Sequence, residues 1–100
     1  MQRKPLVLMS LACAALLASS LASAQVGQAG RLLASNCFQC HGTNGKGGFD
    51  AINGKSVGEI YKKLKEFQAG KEGDGLMTKH ALGYTDAQLV DLDKWLSTQR

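Results

Sequence analysis

Apolar residues in the second half of the chain recur at intervals of three and four, which is the spacing of one face of an α-helix. In 56–70 the repeating positions are Ile60, Leu64 and Phe67. Ser56 and Glu59 stand in the arrangement of a capping box, and Gly70 is typical of a helix C terminus. We therefore predict a helix over 56–70.

A second capping box is formed by Thr85 and Gln88. Four apolar positions behind it share one helix face: Leu89, Leu92, Trp95 and Leu96. This pattern predicts a final helix that runs nearly to Arg100.

The first half of the chain has a helix-permissive stretch at 28–36, followed by a glycine-rich loop at 42–48. The segment G-D-G-L-M-T-K-H, between the two predicted helices, is also rich in glycine and is expected to be flexible. No stretch alternates between polar and apolar residues as a half-buried strand would. The sequence predicts an all-α fold with an N-terminal, a middle and a C-terminal helix.

The chain begins like an exported protein. Arg3 and Lys4 are followed by an apolar run over 6–21 and by the small residues of Ala22-Ser23-Ala24. Serines and alanines dilute the run below the roughly 20 apolar residues that a membrane span needs. We interpret 1–24 as a cleaved, Sec-type secretory signal and 25–100 as one domain of 76 residues in the periplasm.

The five residues C-F-Q-C-H, 37–41, carry the most specific chemical signal in the chain. A C-x-x-C-H run is typical of covalent haem attachment, in which two thiols bond the vinyl groups and the adjacent histidine ligates the iron. Cys37 and Cys40 are the candidate thioether residues, and His41 is the candidate proximal iron ligand. One covalent haem c is the predicted cofactor.

Two other uses of these residues fit the sequence less well. A thioredoxin-like redox pair also uses C-x-x-C, but it requires a βαβ core of which the pattern has no sign. A zinc site would need further ligands, and the sequence has no second C-x-x-C and no spaced histidine pair. Haem attachment also explains two thiols in an oxidising compartment, where a disulfide is the usual outcome.

The second axial ligand of a haem iron decides between electron transfer and small-molecule binding. Met77 is the only methionine in 25–100 and is our candidate for this position. His80 is the competitor, because imidazole is a strong ligand and a bis-histidine haem has a lower potential.

Charge adds little to this interpretation. The full chain has a net charge of +4, and loss of Arg3 and Lys4 leaves +2. So balanced a surface on an exported protein makes nucleic acid an improbable partner. Lysines at 55, 62, 63, 65 and 71 form a cluster that either steers an acidic partner or is the solvated face of a helix, and we favour the second.

Three segments of the chain resemble the small class I c-type cytochromes of bacteria. They are A-G-R-L-L-A-S-N-C-F-Q-C-H-G, I-Y-K-K-L-K-E-F-Q-A-G-K and L-M-T-K-H-A-L-G-Y-T-D-A-Q-L-V-D-L-D-K-W-L. The last two are similar to the monohaem cytochrome subunit of flavocytochrome c sulfide dehydrogenases and related short soluble cytochromes. In that family the axial methionine lies between a phenylalanine-x-x-glycine helix end and a glycine-tyrosine-serine or -threonine cap.

The resemblance implies a class I cytochrome c fold, in which crossed N- and C-terminal helices and a middle helix wrap one haem. The crossing would set Ala29 and Leu33 against Leu92 and Trp95. It also implies that His41 and Met77 are the axial ligands. One departure stands out: family members usually have a proline carbonyl as the partner of the proximal histidine, and 25–100 contains no proline. We expect a carbonyl in 49–52 to replace it.

An iron with two protein ligands is suited to passing single electrons and is a poor substrate site. The resemblance therefore implies a periplasmic electron carrier with redox-protein partners and no catalysis of its own. The alternative is a haem subunit of a periplasmic redox enzyme, for example one bound to a sulfide-oxidising flavoprotein. A third possibility is a sensor or gas-binding haem protein in which the Met77 bond is labile.

Overall fold

The computed structural model describes residues 27–73 and 75–100. Every regular element in these two ranges is a helix or a helical turn, and neither range contains a strand, so the predicted all-α fold is confirmed. The predicted signal segment, 1–24, lies outside the described residues. Within the same ranges, none of the helices combines the length and the hydropathy that a bilayer crossing requires.

The helices follow one another with few long connections. In chain order the described elements are α1 (27–34), a 3-10 turn (Ser35–Cys37), α2 (Phe38–His41), a second 3-10 turn (Thr43–Gly45), α3 (Glu59–Gln68), α4 (Gly75–Leu82) and α5 (Asp86–Ser97). Since α1 passes directly into the first turn and α2, the C-x-x-C-H motif continues the N-terminal helix.

The predicted crossing of the first and last helices occurs at a glycine. Gly30 is buried, and a Cβ atom added to it would lie 2.7 Å from the Cβ of Trp95 and 2.8 Å from the carbonyl oxygen of Asp91. The choice of Ala29 as the small residue at this contact is wrong, because Ala29 is exposed. Only the residue without a side chain lets the two backbones approach this closely.

The buried core is built around α5. Six hydrophobic residues are fully or almost fully buried: Ala34, Leu64, Ala81, Leu89, Leu92 and Leu96. Three of them, Leu89, Leu92 and Leu96, come from α5 and are completely buried, as its predicted apolar face requires. Burying one leucine side chain contributes about 1.5–3 kcal/mol, so this face is the main source of cohesion between the helices.

The middle helix starts later than predicted and without its predicted cap. α3 begins at Glu59, after Gly58 in a left-handed conformation (φ 95°), and the side chain of Ser56 does not cap it. Instead, the carboxylate of Asp93 on α5 accepts hydrogen bonds from the backbone N–H groups of Gly58 (2.8 Å) and Tyr61 (3.1 Å). A cap from a distant helix has replaced the local capping box.

Two other helix ends are as predicted. At the end of α3, Gly70 has a φ of 71°, and the N–H of Lys71 donates to the carbonyl of Glu66 in the manner of a Schellman motif. At the start of α5, the side chains and backbones of Thr85 and Gln88 exchange hydrogen bonds of 2.9 and 3.2 Å. The second capping box is therefore confirmed.

The glycine-rich segment before the last helix is not the flexible connection that we expected. Residues 75–82 form helix α4. Ala81 of this helix is completely buried, and Met77, one turn earlier, packs against the core. Tertiary packing of this inner face stabilises a helix that its glycine-rich sequence does not indicate.

Candidate cofactor-binding site

The two cysteines project from one side of a continuous helical stretch. Cys37 ends the first 3-10 turn, and Cys40 lies in α2, three residues further on. Residues three apart on a helix share a face, which is the arrangement needed for two thiols to reach one edge of a macrocycle. Burial raises the pKa of the Cys37 thiol, and a hydrogen bond with Tyr84 partly offsets this effect. Cys40 is exposed.

The orientation of the His41 ring is fixed by the backbone of the following loop. Its Nδ1 lies 2.6 Å from the carbonyl oxygen of Asp50. A carbonyl only accepts hydrogen bonds, so Nδ1 carries a proton, and in the neutral ring the lone pair is then on Nε2. This is the form of histidine that ligates a metal through Nε2. Asp50 lies inside the range 49–52 in which we expected the carbonyl partner.

Glycines allow this loop to fold back onto the motif. The N–H of Phe49 donates to the carbonyl of Cys40 at 2.8 Å, which brings the next residue, Asp50, beside His41. Gly48 has a φ of 66°, and a Cβ atom there would collide with the carbonyl oxygen of Cys40. The close approach that positions the Asp50 carbonyl thus depends on the absence of a side chain at 48.

The two candidates for the distal ligand, Met77 and His80, are three residues apart on α4 and differ in burial. Met77 is half-buried and packs against the hydrophobic core. His80 is exposed and lines an open cleft of about 470 Å³. The other residues of this cleft are Ser35, Asn36, Gln39, Lys79, Gly83 and Tyr84.

A fringe of large hydrophobic side chains remains half-exposed around the small core. These residues are Leu33, Phe38, Ile52, Ile60, Tyr61, Phe67, Met77, Tyr84 and Trp95. Their apolar surface would be stabilised, at about 25 cal/mol per Å², by a group that covers it. Together with the two thiols and the oriented imidazole, this fringe fits a large, flat, apolar cofactor of the haem type.

Tyr84 is a residue of this region whose contacts we did not predict. Its hydroxyl donates to the carbonyl of Leu33 at 2.8 Å and accepts from Nδ2 of Asn36 at 3.1 Å. Burial raises the pKa of its hydroxyl. The sequence marks Tyr84 only as the residue before a helix cap, because its partners lie about fifty positions earlier in the chain.

A family model described as "Cytochrome c" matches residues 27–100. Cytochrome c-553 of Nitratidesulfovibrio vulgaris is 31% identical over 102 aligned positions, which include 95% of this chain and 97% of the relative. The cytochrome subunit of sulfide dehydrogenase of Chlorobaculum tepidum is 36% identical, over 60% of this chain and 56% of the relative. The thiosulfate dehydrogenase electron acceptor of Thiomonas intermedia is 38% identical, over 63% of this chain but only 32% of the relative.

Proposed function

Because the chain belongs to the cytochrome c family, as a small class I electron-transfer protein with covalently bound haem c, we propose that it is a periplasmic carrier of single electrons. In this proposal Cys37 and Cys40 form the thioether bonds, and His41 and Met77 are the axial ligands of the iron. Residues 1–24 direct export and are removed, which leaves 25–100 as the mature domain.

The hydrogen bond between His41 Nδ1 and the Asp50 carbonyl carries this proposal. It selects the tautomer in which Nε2 offers its lone pair, and it fixes the orientation of the ring. The haem supplies an iron centre that changes between ferric and ferrous states. The chain holds this centre with two thioethers and excludes water from it with the half-buried apolar fringe.

The surroundings of α4 favour Met77 over His80 as the distal ligand. Met77 lies on the inner face of the helix, one turn before the buried Ala81, whereas His80 is exposed to solvent in the cleft. Two protein ligands leave the iron without an open position, which suits electron transfer and disfavours substrate binding.

A second function is favoured by the names of two relatives. One is a cytochrome subunit of sulfide dehydrogenase and another is an electron acceptor of thiosulfate dehydrogenase. This chain would then be the haem subunit of a periplasmic redox enzyme, bound to a partner such as a flavoprotein. The nearly full-length match to cytochrome c-553 favours the free carrier. Gel filtration of the native protein from its source separates the two, because a monomeric mass contradicts the subunit.

The axial ligands are tested by the weak near-infrared absorption band that methionine gives when it ligates ferric haem. Met77→Ala should abolish this band, and His80→Ala, the matched control on the same helix, should keep it. Loss of the band in His80→Ala with retention in Met77→Ala would contradict the assignment. Carbon monoxide binding to the reduced wild-type protein at neutral pH would instead favour a gas-binding haem protein.

A further inference from the structure

The C-terminal end of α4 is held by a side chain from α3. The last carbonyl groups of any helix have no partners inside that helix. Here the Nε2 of Gln68 donates to the carbonyl of Ala81 at 2.8 Å and to the carbonyl of Tyr84 at 3.4 Å. One carboxamide therefore joins the end of α3 to the junction between α4 and α5.

The same junction is held from its other side by Tyr84. The hydroxyl of Tyr84 donates to the carbonyl of Leu33, and Asn36 donates to that hydroxyl. Leu33 and Asn36 immediately precede Cys37, so this contact ties the junction to the segment that carries the thiols. The end of α4 is thus fixed relative to both α3 and the attachment motif.

Fixing this end of α4 also fixes Met77. Met77 and Ala81 are one helical turn apart, and residues four apart lie on the same face. The Ala81 carbonyl is the one that Gln68 holds most closely, and the Ala81 side chain is completely buried. α4 has only eight residues, too few to be stable alone, so its position depends on such tertiary contacts.

We propose that Gln68 is a positioning residue for Met77: its carboxamide fastens the end of α4 and so keeps the methionine sulfur directed into the site. This inference rests on the proposed function, in which Met77 is the distal ligand. Loss of the Gln68 carboxamide would leave the Met77 sulfur as the ligand, but a competing ligand would displace it more easily.

The test is the affinity of imidazole for the ferric holoprotein. In Gln68→Ala, the end of α4 and the junction after it each lose one hydrogen bond. We expect imidazole to bind about tenfold more tightly, because it displaces a less firmly held methionine. Gln68→Glu keeps the volume of the side chain but cannot donate as a carboxylate, and it should shift the affinity in the same direction. The near-infrared band should weaken on heating at a lower temperature in both variants than in the wild type.

Gln99→Ala is the matched control. Gln99 is also a half-buried glutamine whose Nε2 donates to a backbone carbonyl, that of Trp95 at 3.2 Å, but it lies at the end of α5. Its removal should lower the free energy of unfolding without changing imidazole affinity. Equal imidazole affinities in the wild type, Gln68→Ala and Gln68→Glu would overturn the role of Gln68.

The role of Gln68 and the assignment of Met77 as the distal ligand can be refuted separately. If Met77→Ala abolishes the near-infrared band but Gln68→Ala binds imidazole like the wild type, Met77 is the ligand and Gln68 does not position it. If Met77→Ala keeps the band, the ligand assignment is wrong and the inference falls with it.

Discussion

At the scale of single residues, a backbone carbonyl rather than a side chain orients the histidine of the motif. The Asp50 carbonyl lies 2.6 Å from His41 Nδ1, in a chain whose residues 25–100 contain no proline to restrict this loop. Hydrogen bonds within the loop and the positive φ of Gly48 bring the carbonyl into place. The orientation of the His41 ring therefore depends on the glycines of this loop.

Gly48→Ala tests this dependence. The new Cβ would collide with the Cys40 carbonyl, so the loop must move and the Asp50 carbonyl must move with it. We expect a loss of about 2–3 kcal/mol in the free energy of unfolding of the holoprotein, measured by denaturant titration.

Gly70→Ala is the control for backbone strain alone. Gly70 has nearly the same positive φ, 71°, as Gly48, but a Cβ atom there would have no neighbour within 4 Å. It should therefore destabilise the protein less than Gly48→Ala. Equal losses in the two variants would mean that the contact with Cys40 does not matter.

At the scale of helices, α3 depends on α5 for its start. The Asp93 side chain is only 2% exposed, and its two oxygens accept from the N–H groups of Gly58 and Tyr61. A carboxylate at a helix N terminus also interacts favourably with the helix dipole. Asp93 thus links the first turn of α3 to the middle of the C-terminal helix.

Replacement of Asp93 should weaken this link in steps. We expect Asp93→Ala to lower the free energy of unfolding by about 2–3 kcal/mol, because two charge-assisted hydrogen bonds are lost. Asp93→Asn keeps one acceptor and should cost about half as much.

Asp91→Ala, on the same helix, is the control; within the described part of the chain its carboxylate accepts no hydrogen bond. If Asp91→Ala destabilises the protein as much as Asp93→Ala, the capping role is refuted.

The helices that the sequence predicts well are those with local determinants. The start of α5 follows from Thr85 and Gln88, three positions apart, and its apolar face follows from regular leucine spacing. The cap of α3 escapes prediction because Asp93 is more than thirty positions away from Gly58. α4 escapes it for the same reason, since its stability comes from the burial of Ala81 and from the distant Gln68.

The sequence also predicts only part of the candidate site. Cys37, Cys40 and His41 can be predicted because covalent haem attachment requires their spacing. The carbonyl partner of His41, Asp50, could be predicted only to within the range 49–52. The contacts of Gln68 and Tyr84 could not be predicted from the sequence. Contacts between segments that are distant in the chain leave no periodic pattern in the sequence.

At the scale of the whole molecule, the protein's own core is too small for its length. In 27–73 and 75–100, two of the six buried hydrophobic residues are alanines, while nine others around them are only partly buried. Domains of this size often need a disulfide, a metal or a cofactor for stability. We expect covalently bound haem to fill that role here, because it is a large apolar group.

Expression without haem-attachment machinery should therefore give a largely unfolded chain. Circular dichroism should show little helix in this apoprotein, whereas the holoprotein of identical sequence should be helical and unfold cooperatively. A cooperative, helical apoprotein would contradict the claim that the cofactor completes the core.

Some of the exposed lysines on the protein surface are paired with acidic side chains. Lys65 pairs with Asp86 at 2.7 Å, and Lys63 pairs with Glu72 at 3.0 Å, with all four side chains substantially exposed. These contacts raise the pKa of both lysines. Part of the basic cluster is thus a solvated helix face paired with acids, and such exposed pairs contribute little to stability.

Ligation of the iron by Met77 can be measured in a nuclear magnetic resonance spectrum of the reduced protein labelled with ¹³C at the methionine methyl group. Residues 25–100 contain a single methionine, Met77, so the protein without the proposed signal segment should give one methyl signal. The haem ring current should shift this signal far upfield, because a ligating Met77 would hold its methyl group over the haem face. A methyl signal at the ordinary position of a methionine side chain would contradict ligation by Met77.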